Sequence, residues 1–578
     1  VVSVFSSLKA KPRLWLLVIS LVVLAALLAN ILIPLAMSAR TAASDYRTPS
    51  PIPNTDVNPL GANFFLDREV EEWKLRKTLQ MAKEDGLGWV KQQFPWQEIE
   101  PVEKGQYYDE RARRSSWDKY DLIVDLCEEY GLTLIARLDR PPDWTREDNT
   151  YKERPPDDFD DYGDFVYTFV DRYRGRIAYV QIWNEPNIFP EWGNRPVDPA
   201  GYVDLLRVAY QRAKEADPNV QVLSAPLAIT LGQPHPEAGK WISMNEIEYL
   251  EAMYEAGAKD YFDILSANAF GLGSPPEEAP EARTLNFQRV LFLREVMEEH
   301  GDSEKAVWFN EYGWNASPED LPEEELIWQQ VTEEEQAAYT VEGIEYALEN
   351  WPWAGVFNIW YFRQVGNISP DRSDYYFRMV DVDFTPRLVY YAVQEAAKEL
   401  AGAVGPGYYQ ETNPSVTLNG PWQTELDEKA SGQTQAVTAV AGSTVELSFV
   451  GQNVDLIASV GPDGGRLAVS LDGRPVEDLS TSTDGRSYVD LFSPVRRWQQ
   501  RIPLAYQVDD AEHTVLLTVL DRADLASSGT LIAIDAFEVT RGEQPSPPYK
   551  VIAALSLATM AVGGLTWREW RQPRRARG

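Results

Sequence analysis

The chain has 578 residues and a formal net charge of −35, so two or more domains are expected at about 100–200 residues per domain. Residues 1–45 sum to +3 and residues 568–578 to +4, which leaves −42 on the body between them; so acidic a body repels nucleic acid and anionic membrane surfaces and leaves neutral or cationic partners. A single cysteine, Cys127, excludes an intrachain disulfide, and His235, His300 and His513 show no ligand spacing, so neither metal nor organic cofactor is expected.

The predicted elements begin with a basic N-terminus, residues 1–13. The uncharged run LWLLVISLVVLAALLANILIPLAM, residues 14–37, is long enough for a transmembrane anchor, which needs about 20 apolar residues. Lys9, Lys11 and Arg13 before it place the N-terminus in the cytoplasm and export the rest. A cleavable signal is the competing reading, but the run exceeds the ~7–15 residues of a signal core. After a proline-rich linker, 38–58, residues 59–402 alternate short apolar runs with helical segments. GANFFL, GWVKQQF, LTLIARL, IAYVQIW, VQVLSAPL, DILSANAF, AVWFNEY and GVFNIWYF are eight candidate strands, which predicts a (β/α)8 TIM barrel. A doubly wound sheet is the alternative, but no glycine-rich phosphate turn follows the first strand.

Beyond the Gly/Pro-rich break AGAVGPGYYQETNP, residues 406–543 read as alternating strands of a β-sandwich. A second proline-rich linker, 544–550, leads to the apolar stretch 551–567, a second transmembrane candidate, and to a basic cytoplasmic tail, 568–578. The expected location is the cell membrane, with the acidic body on the extracytoplasmic side.

Reactive groups of such a barrel project from the C-terminal ends of its strands. Glu185, in QIWNEPN, ends the fourth candidate strand, and Glu311, in AVWFNEYGWN, ends the seventh. Two carboxyl groups facing one mouth can cleave a glycosidic bond, one protonating the leaving oxygen while the other, ionised, attacks the anomeric carbon. Asn184 can donate to a sugar hydroxyl beside the reacting carbon, and Trp360, in NIWYF, suits stacking on a pyranose face.

IWNEPN followed by WFNEYGW resembles the paired signature of clan A glycoside hydrolases, retaining enzymes most like families 39 and 5. GLGWVKQQFPWQEIEPVEKGQYYD and VDVDFTPRLVYYAV are similar to further stretches of that group, so the likeness extends along most of residues 60–400. The resemblance implies that Glu185 is the acid/base and Glu311 the nucleophile, that Asn184 holds the 2-hydroxyl, and that Trp360 forms the floor under the sugar. Tyr312, Asn268 and Lys91 are candidates to supply donors to Glu311. The sequence departs from the family pattern in two places: Lys91 stands where the second strand often offers Arg, and SANAFG puts Asn268 and Phe270 where the sixth strand commonly gives His and Tyr.

GPDGG and LIAIDAFEV resemble jelly-roll, galactose-binding-like modules, which implies a carbohydrate-binding role for the sandwich. The function expected is that of a retaining glycosidase acting by double displacement on an extracellular, β-linked poly- or oligosaccharide. Alternatives are a catalytically impaired polysaccharide-binding or export accessory protein, and a transglycosylase of surface-glycan assembly.

Overall fold

The computed structural model describes residues 12–44, 47–48, 52–237, 240–366, 368–482, 484–541 and 549–571. The basic residues 1–11 and 572–578 and the proline-rich stretch 542–548 lie outside the described residues.

After a first helix, α1 (Pro12–Ser44), the chain alternates strand and helix eight times. The sequence runs β1 (Leu60–Phe64), α2 (Glu72–Glu84), β2 (Trp89–Pro95), α3 (Asp118–Tyr130), β3 (Thr133–Asp139), α4 (Phe159–Arg172), β4 (Tyr179–Ile182) and α5 (Pro199–Ala216). It continues through β5 (Gln221–Leu223), α6 (Glu246–Glu255), β6 (Leu265–Phe270), α7 (Val290–Glu299), β7 (Val307–Gly313), α8 (Glu333–Asn350), β8 (Ala354–Ile359) and α9 (Leu388–Leu400). The strands are parallel in the order β6-β7-β8-β1-β2-β3-β4-β5, and a bridge between Leu223 and Ile264 joins the two edges. The sheet is therefore a closed (β/α)8 barrel, and closure removes the unpaired edges an open sheet would expose.

Local signals place the helices. Asp158 accepts from Asp160 N at the start of α4, Asp198 from Gly201 N at α5, and Asn245 from Ile247 N at α6. Thr332 and Glu335 exchange bonds in a capping box at α8. The floor of the barrel is an apolar plug in which Trp89, Tyr179 and Trp308 meet with ring centroids 4.9–5.2 Å apart, ringed by Ile135, Leu223, Ile264 and Val356. Above it the interior turns polar, and this change of layer makes the upper end a mouth.

The second body stacks two antiparallel sheets. One has β11 (Gln423–Leu426), β12 (Thr434–Thr438), β19 (Ile532–Thr540), β14 (Asn453–Val460) and β17 (Arg497–Ala505) side by side, with β9 (Gly407–Gln410) also on β19. The other runs β10 (Val416–Asn419), β13 (Thr444–Gly451), β18 (Ala511–Ala523), β15 (Gly465–Leu471) and β16 (Ser487–Asp490). Val445, Leu447 and Phe449 alternate inward along β13 against Leu456, Ile534 and Phe537, the period-two pattern of a sandwich core.

The sandwich docks near the floor of the barrel. Asp56 accepts from Arg47 (2.7 Å), Gln410 N (3.1 Å) and Asn413 Nδ2 (2.9 Å), and Ser415 Oγ donates to Leu400 O (3.0 Å). Glu411 is buried in this junction. Burial holds it well above the usual carboxylate range against a hydrogen bond from Thr434, with Asp535 and Asp56 adding to the rise. A carboxyl raised in this way adds nothing below its unfolded pKa and destabilises the fold as pH climbs through its folded value. Glu411→Gln is therefore expected to stabilise the protein by about 1–3 kcal/mol at pH 8 and to change little at pH 4, read as the difference in denaturation midpoint between variant and wild type at each pH.

The expectation of two transmembrane helices is not supported. Among the described residues no helix is long and apolar enough to cross a membrane. The predicted span 14–37 falls in α1, whose side chains beyond Ala29 lie outside the described residues, and 551–567 falls in α10 (Tyr549–Arg571), whose side chains before Ala554 lie outside them as well. The two helices pack together: Leu14, Val18 and Leu21 line a groove with Trp570, Trp567 and Gly563, an antiparallel pairing.

Candidate active site

The motif QIWNEPN is built by a kink at the end of β4. Trp183 and Glu185 both take positive φ, +73° and +39°, a conformation that costs a non-glycine residue of order 1–3 kcal/mol and is held by its surroundings. Trp183 N donates to Leu138 O (3.1 Å), Trp183 Nε1 to Glu191 O (3.0 Å) and Glu185 N to Pro226 O (3.1 Å). Asn187 is fully buried and bridges the next loop, donating to Ala228 O (2.9 Å) and Met244 O (3.0 Å) and accepting from Ala228 N (2.9 Å). Asn187 and the backbone thus fix the loop, leaving Asn184 and Glu185 available for chemistry. Asn184 is buried, and its Oδ1 has no partner among the described residues.

Glu311 owes its direction to a bulge. Along β6 the register steps from Ala267 opposite Phe309 to Asn268 opposite Glu311, so Asn310 is an extra residue in β7. Strict alternation from Trp308 would point Tyr312 inward and Glu311 outward. With the extra residue, Asn310 and Glu311 both face the interior. Tyr312 turns outward instead and donates its hydroxyl to Thr340 O (2.7 Å) in α8. The expectation that Tyr312 serves Glu311 is corrected on this ground: its phenol belongs to the packing between sheet and helix, among Phe287, Phe357 and Trp314.

The expected role of Asn268 also changes. Its Nδ2 donates to Glu185 Oε1 (2.7 Å), not to Glu311, while Asn310 Nδ2 donates to Asn268 Oδ1 (3.3 Å). Lys91 is buried and donates to Asn63 Oδ1 (2.9 Å) and Asn310 O (3.4 Å), beside Glu311. Asn63 Nδ2 in turn donates to Asn310 O (3.0 Å) and Asn358 O (3.2 Å), so asparagines from β1, β6, β7 and β8 line one polar layer.

Charge divides the two carboxyls. Burial raises Glu185 well above the usual carboxylate range, and the like charges of Glu311 and Glu191 add to it, against Arg137 and the Asn268 bond. Burial raises Glu311 as well, but Lys91 and Arg137 oppose it. Lys91 is itself pushed down to about 7 by burial, with Glu311 holding it up. The order, Glu185 raised the further and Glu311 opposed by two cations, is the direction of split that an acid and a nucleophile need.

Arg137 is the residue sequence reasoning missed. It lies on β3 and donates from Nε to Asp139 Oδ2 (2.6 Å), its charge reaching Glu311, Glu185 and Glu191. The signal was present in LIARLD, where Arg137 follows the inward-facing Ile135 by two residues. Trp360 is partly exposed past the end of β8, packed edge-on against Phe65 at 5.8 Å. Among the described residues no group of His, Cys, Asp and Glu is placed to hold a metal ion.

Fold and site define a closed (β/α)8 barrel with two carboxyl groups at its C-terminal mouth and a β-sandwich at its base. No family model matches the chain. A 128-residue stretch is 26% identical to the beta-glucosidase-like SFR2, chloroplastic, of rice (Oryza sativa subsp. japonica), covering 22% of this chain and only 18% of that protein. Similar solved structures include a family 39 glycoside hydrolase from Bacteroides cellulosilyticus WH2, at 17% identity and TM-score 0.43, covering 81% of each chain. A monomeric beta-xylosidase from Caulobacter crescentus CB15 (13%, TM-score 0.43) aligns over 82% of this chain and 99% of its own, and the GH39 enzyme of Xanthomonas axonopodis pv. citri (13%, TM-score 0.43) over 82% and 97%.

Proposed function

We propose that this protein is a retaining glycoside hydrolase acting on β-linked sugars, and the observation that carries the reading is the pair of carboxyls, Glu185 just past β4 and Glu311 on β7, that face one barrel mouth, the charge of Glu311 acting on Glu185. The ionised Glu311 attacks the anomeric carbon as the bond to the leaving oxygen breaks, and Glu185 gives that oxygen its proton. Glu185, now ionised, takes a proton from water, whose oxygen displaces Glu311 and releases the sugar with its configuration kept. Lys91 and Arg137 favour the charged form of Glu311. Asn184 is assigned to the hydroxyl beside the reacting carbon, and Trp360 to the apolar face of the ring.

The reading is tested with a panel of aryl β-glycosides and plant and bacterial β-glycans, followed by a pH profile on whichever is cleaved. Activity falls on the acid side as Glu311 gains its proton and on the alkaline side as Glu185 loses its own. Both groups are raised, so both limbs lie above those of ordinary carboxyls and the optimum sits toward neutrality. Cleavage with inversion, or no cleavage of any β-glycoside, would overturn the proposal.

Export of the body rests on sequence alone, on the basic residues flanking 14–37 and 551–567. Protease accessibility of the barrel on intact cells checks it.

A further inference from the structure

We infer that Asn268 is a positioning residue that holds Glu185 Oε1 as a permanent acceptor and confines the catalytic proton to Oε2. The inference rests on the proposed hydrolase reading and adds to it a residue that fixes which oxygen does the work.

Two bonds set the polarity. An asparagine side chain has one accepting and one donating end. Asn310 Nδ2 donates to Asn268 Oδ1 (3.3 Å), which occupies the accepting end and turns Asn268 Nδ2 toward Glu185 Oε1, 2.7 Å away. An oxygen that already accepts so short a bond is a poor place for a proton, so the proton of the neutral acid sits on Oε2. Asn310 is itself placed by the β7 bulge, and its carbonyl is held by Lys91 (3.4 Å) and Asn63 (3.0 Å). Asn268 is buried on the barrel wall, and β6 carries it between the two carboxyls, its Cα in register with Glu311. The charged groups that face Glu185 are Glu311 on β7, Glu191 on the loop after β4, Arg137 on β3 and Lys91 on β2.

Two consequences follow for turnover. In the first half-reaction Oε2 delivers the proton, and the bond from Asn268 stabilises the carboxylate left behind. In the second, Glu185 must be ionised to take a proton from water, the state a donated hydrogen bond favours. Asn268 therefore supports the deglycosylation step more than attack on a substrate whose leaving group needs no acid.

The test compares wild type with Asn268→Ala, Asn268→Asp and Asn268→His, on a 2,4-dinitrophenyl and on an unactivated aryl β-glycoside. Thermal denaturation checks that each variant is folded. In Asn268→Ala the alkaline limb of kcat/KM for the unactivated substrate should move up by on the order of one pH unit. With the dinitrophenyl substrate kcat should fall about tenfold while kcat/KM holds, because deglycosylation slows and attack does not. Asn268→Asp, nearly the same shape but without the donor, should exceed Ala in both effects, and Asn268→His, which keeps a donor, should recover part of them.

A readout independent of turnover is the titration of Glu185 in protein labelled with [δ-13C]glutamate, its resonance assigned by its loss in Glu185→Gln. The resonance should titrate at higher pH in Asn268→Ala than in wild type. An unmoved titration, or a uniform loss of kcat and kcat/KM with both limbs in place, overturns the inference. A wild type that cleaves no glycoside while the titration shifts as expected overturns the hydrolase reading alone.

Discussion

Glu311→Ala should lower kcat by on the order of 10^4-fold or more on any substrate the wild type cleaves, because the displaced bond has no other carboxylate to attack it from that face. Azide admitted to the space of the lost side chain should restore turnover and give the glycosyl azide of inverted configuration, since one displacement replaces two. Glu185→Ala should lose about 10²–10⁴-fold on poor leaving groups and much less on dinitrophenyl glycosides, and azide should there give the retained product. A 2-deoxy-2-fluoroglycoside should label the wild type, with the added mass located on the peptide containing Glu311. Near-normal hydrolysis by Glu311→Ala, or a label on another residue, would remove the mechanism. The two variants are distinguishable because Glu311 acts as a base toward carbon and Glu185 as an acid toward oxygen, roles that the surrounding charges already separate.

The largest effect on stability is expected at Arg289. Its side chain and that of Glu246 are both almost entirely buried, and they pair with each other between α7 and α6. Arg289 Nη1 also donates to the carbonyls of Glu281 (3.1 Å), Ala282 (2.9 Å) and Thr284 (3.3 Å), and Glu246 Oε2 accepts from Thr230 N (3.0 Å). The pair thus ties together the loops that follow β5 and β6, two walls of the mouth. Arg289→Met leaves the Glu246 carboxylate buried without its counter-charge and should cost about 3–5 kcal/mol in denaturant unfolding. Adding Glu246→Gln to that variant should recover much of the loss, because what destabilises is the unpaired charge more than the missing bond. A change below about 1 kcal/mol in the single variant would show that water reaches Glu246.

The barrel was legible because each of its strands carries a short apolar run, and GWVKQQF, LTLIARL and AVWFNEY fall within a residue or two of β2, β3 and β7. The glutamates were legible because a charged residue at the end of such a run has few structural reasons to be there. What the linear pattern could not hold was orientation. The bulge at Asn310 exchanges the directions of Glu311 and Tyr312, and nothing in VWFNEYG announces it. Asn268 was found as a site residue but with the wrong partner, since which glutamate it meets depends on how β6 and β7 are staggered. Arg137 went unnoticed because its neighbour Asp139 makes the pair look like a surface ion pair.

The extra residue in β7 means that the length of this strand is as much a part of the site as its composition. Substituting Val307 or Phe309 changes packing but leaves the count intact. Deleting Asn310 restores an even alternation with Glu311 still facing inward and Tyr312 still outward, but removes the amide that donates to Asn268 and the carbonyl that Lys91 and Asn63 hold. A chain one residue shorter here would keep its barrel and both glutamates at the mouth, yet lose the asparagine that orients Asn268 between them.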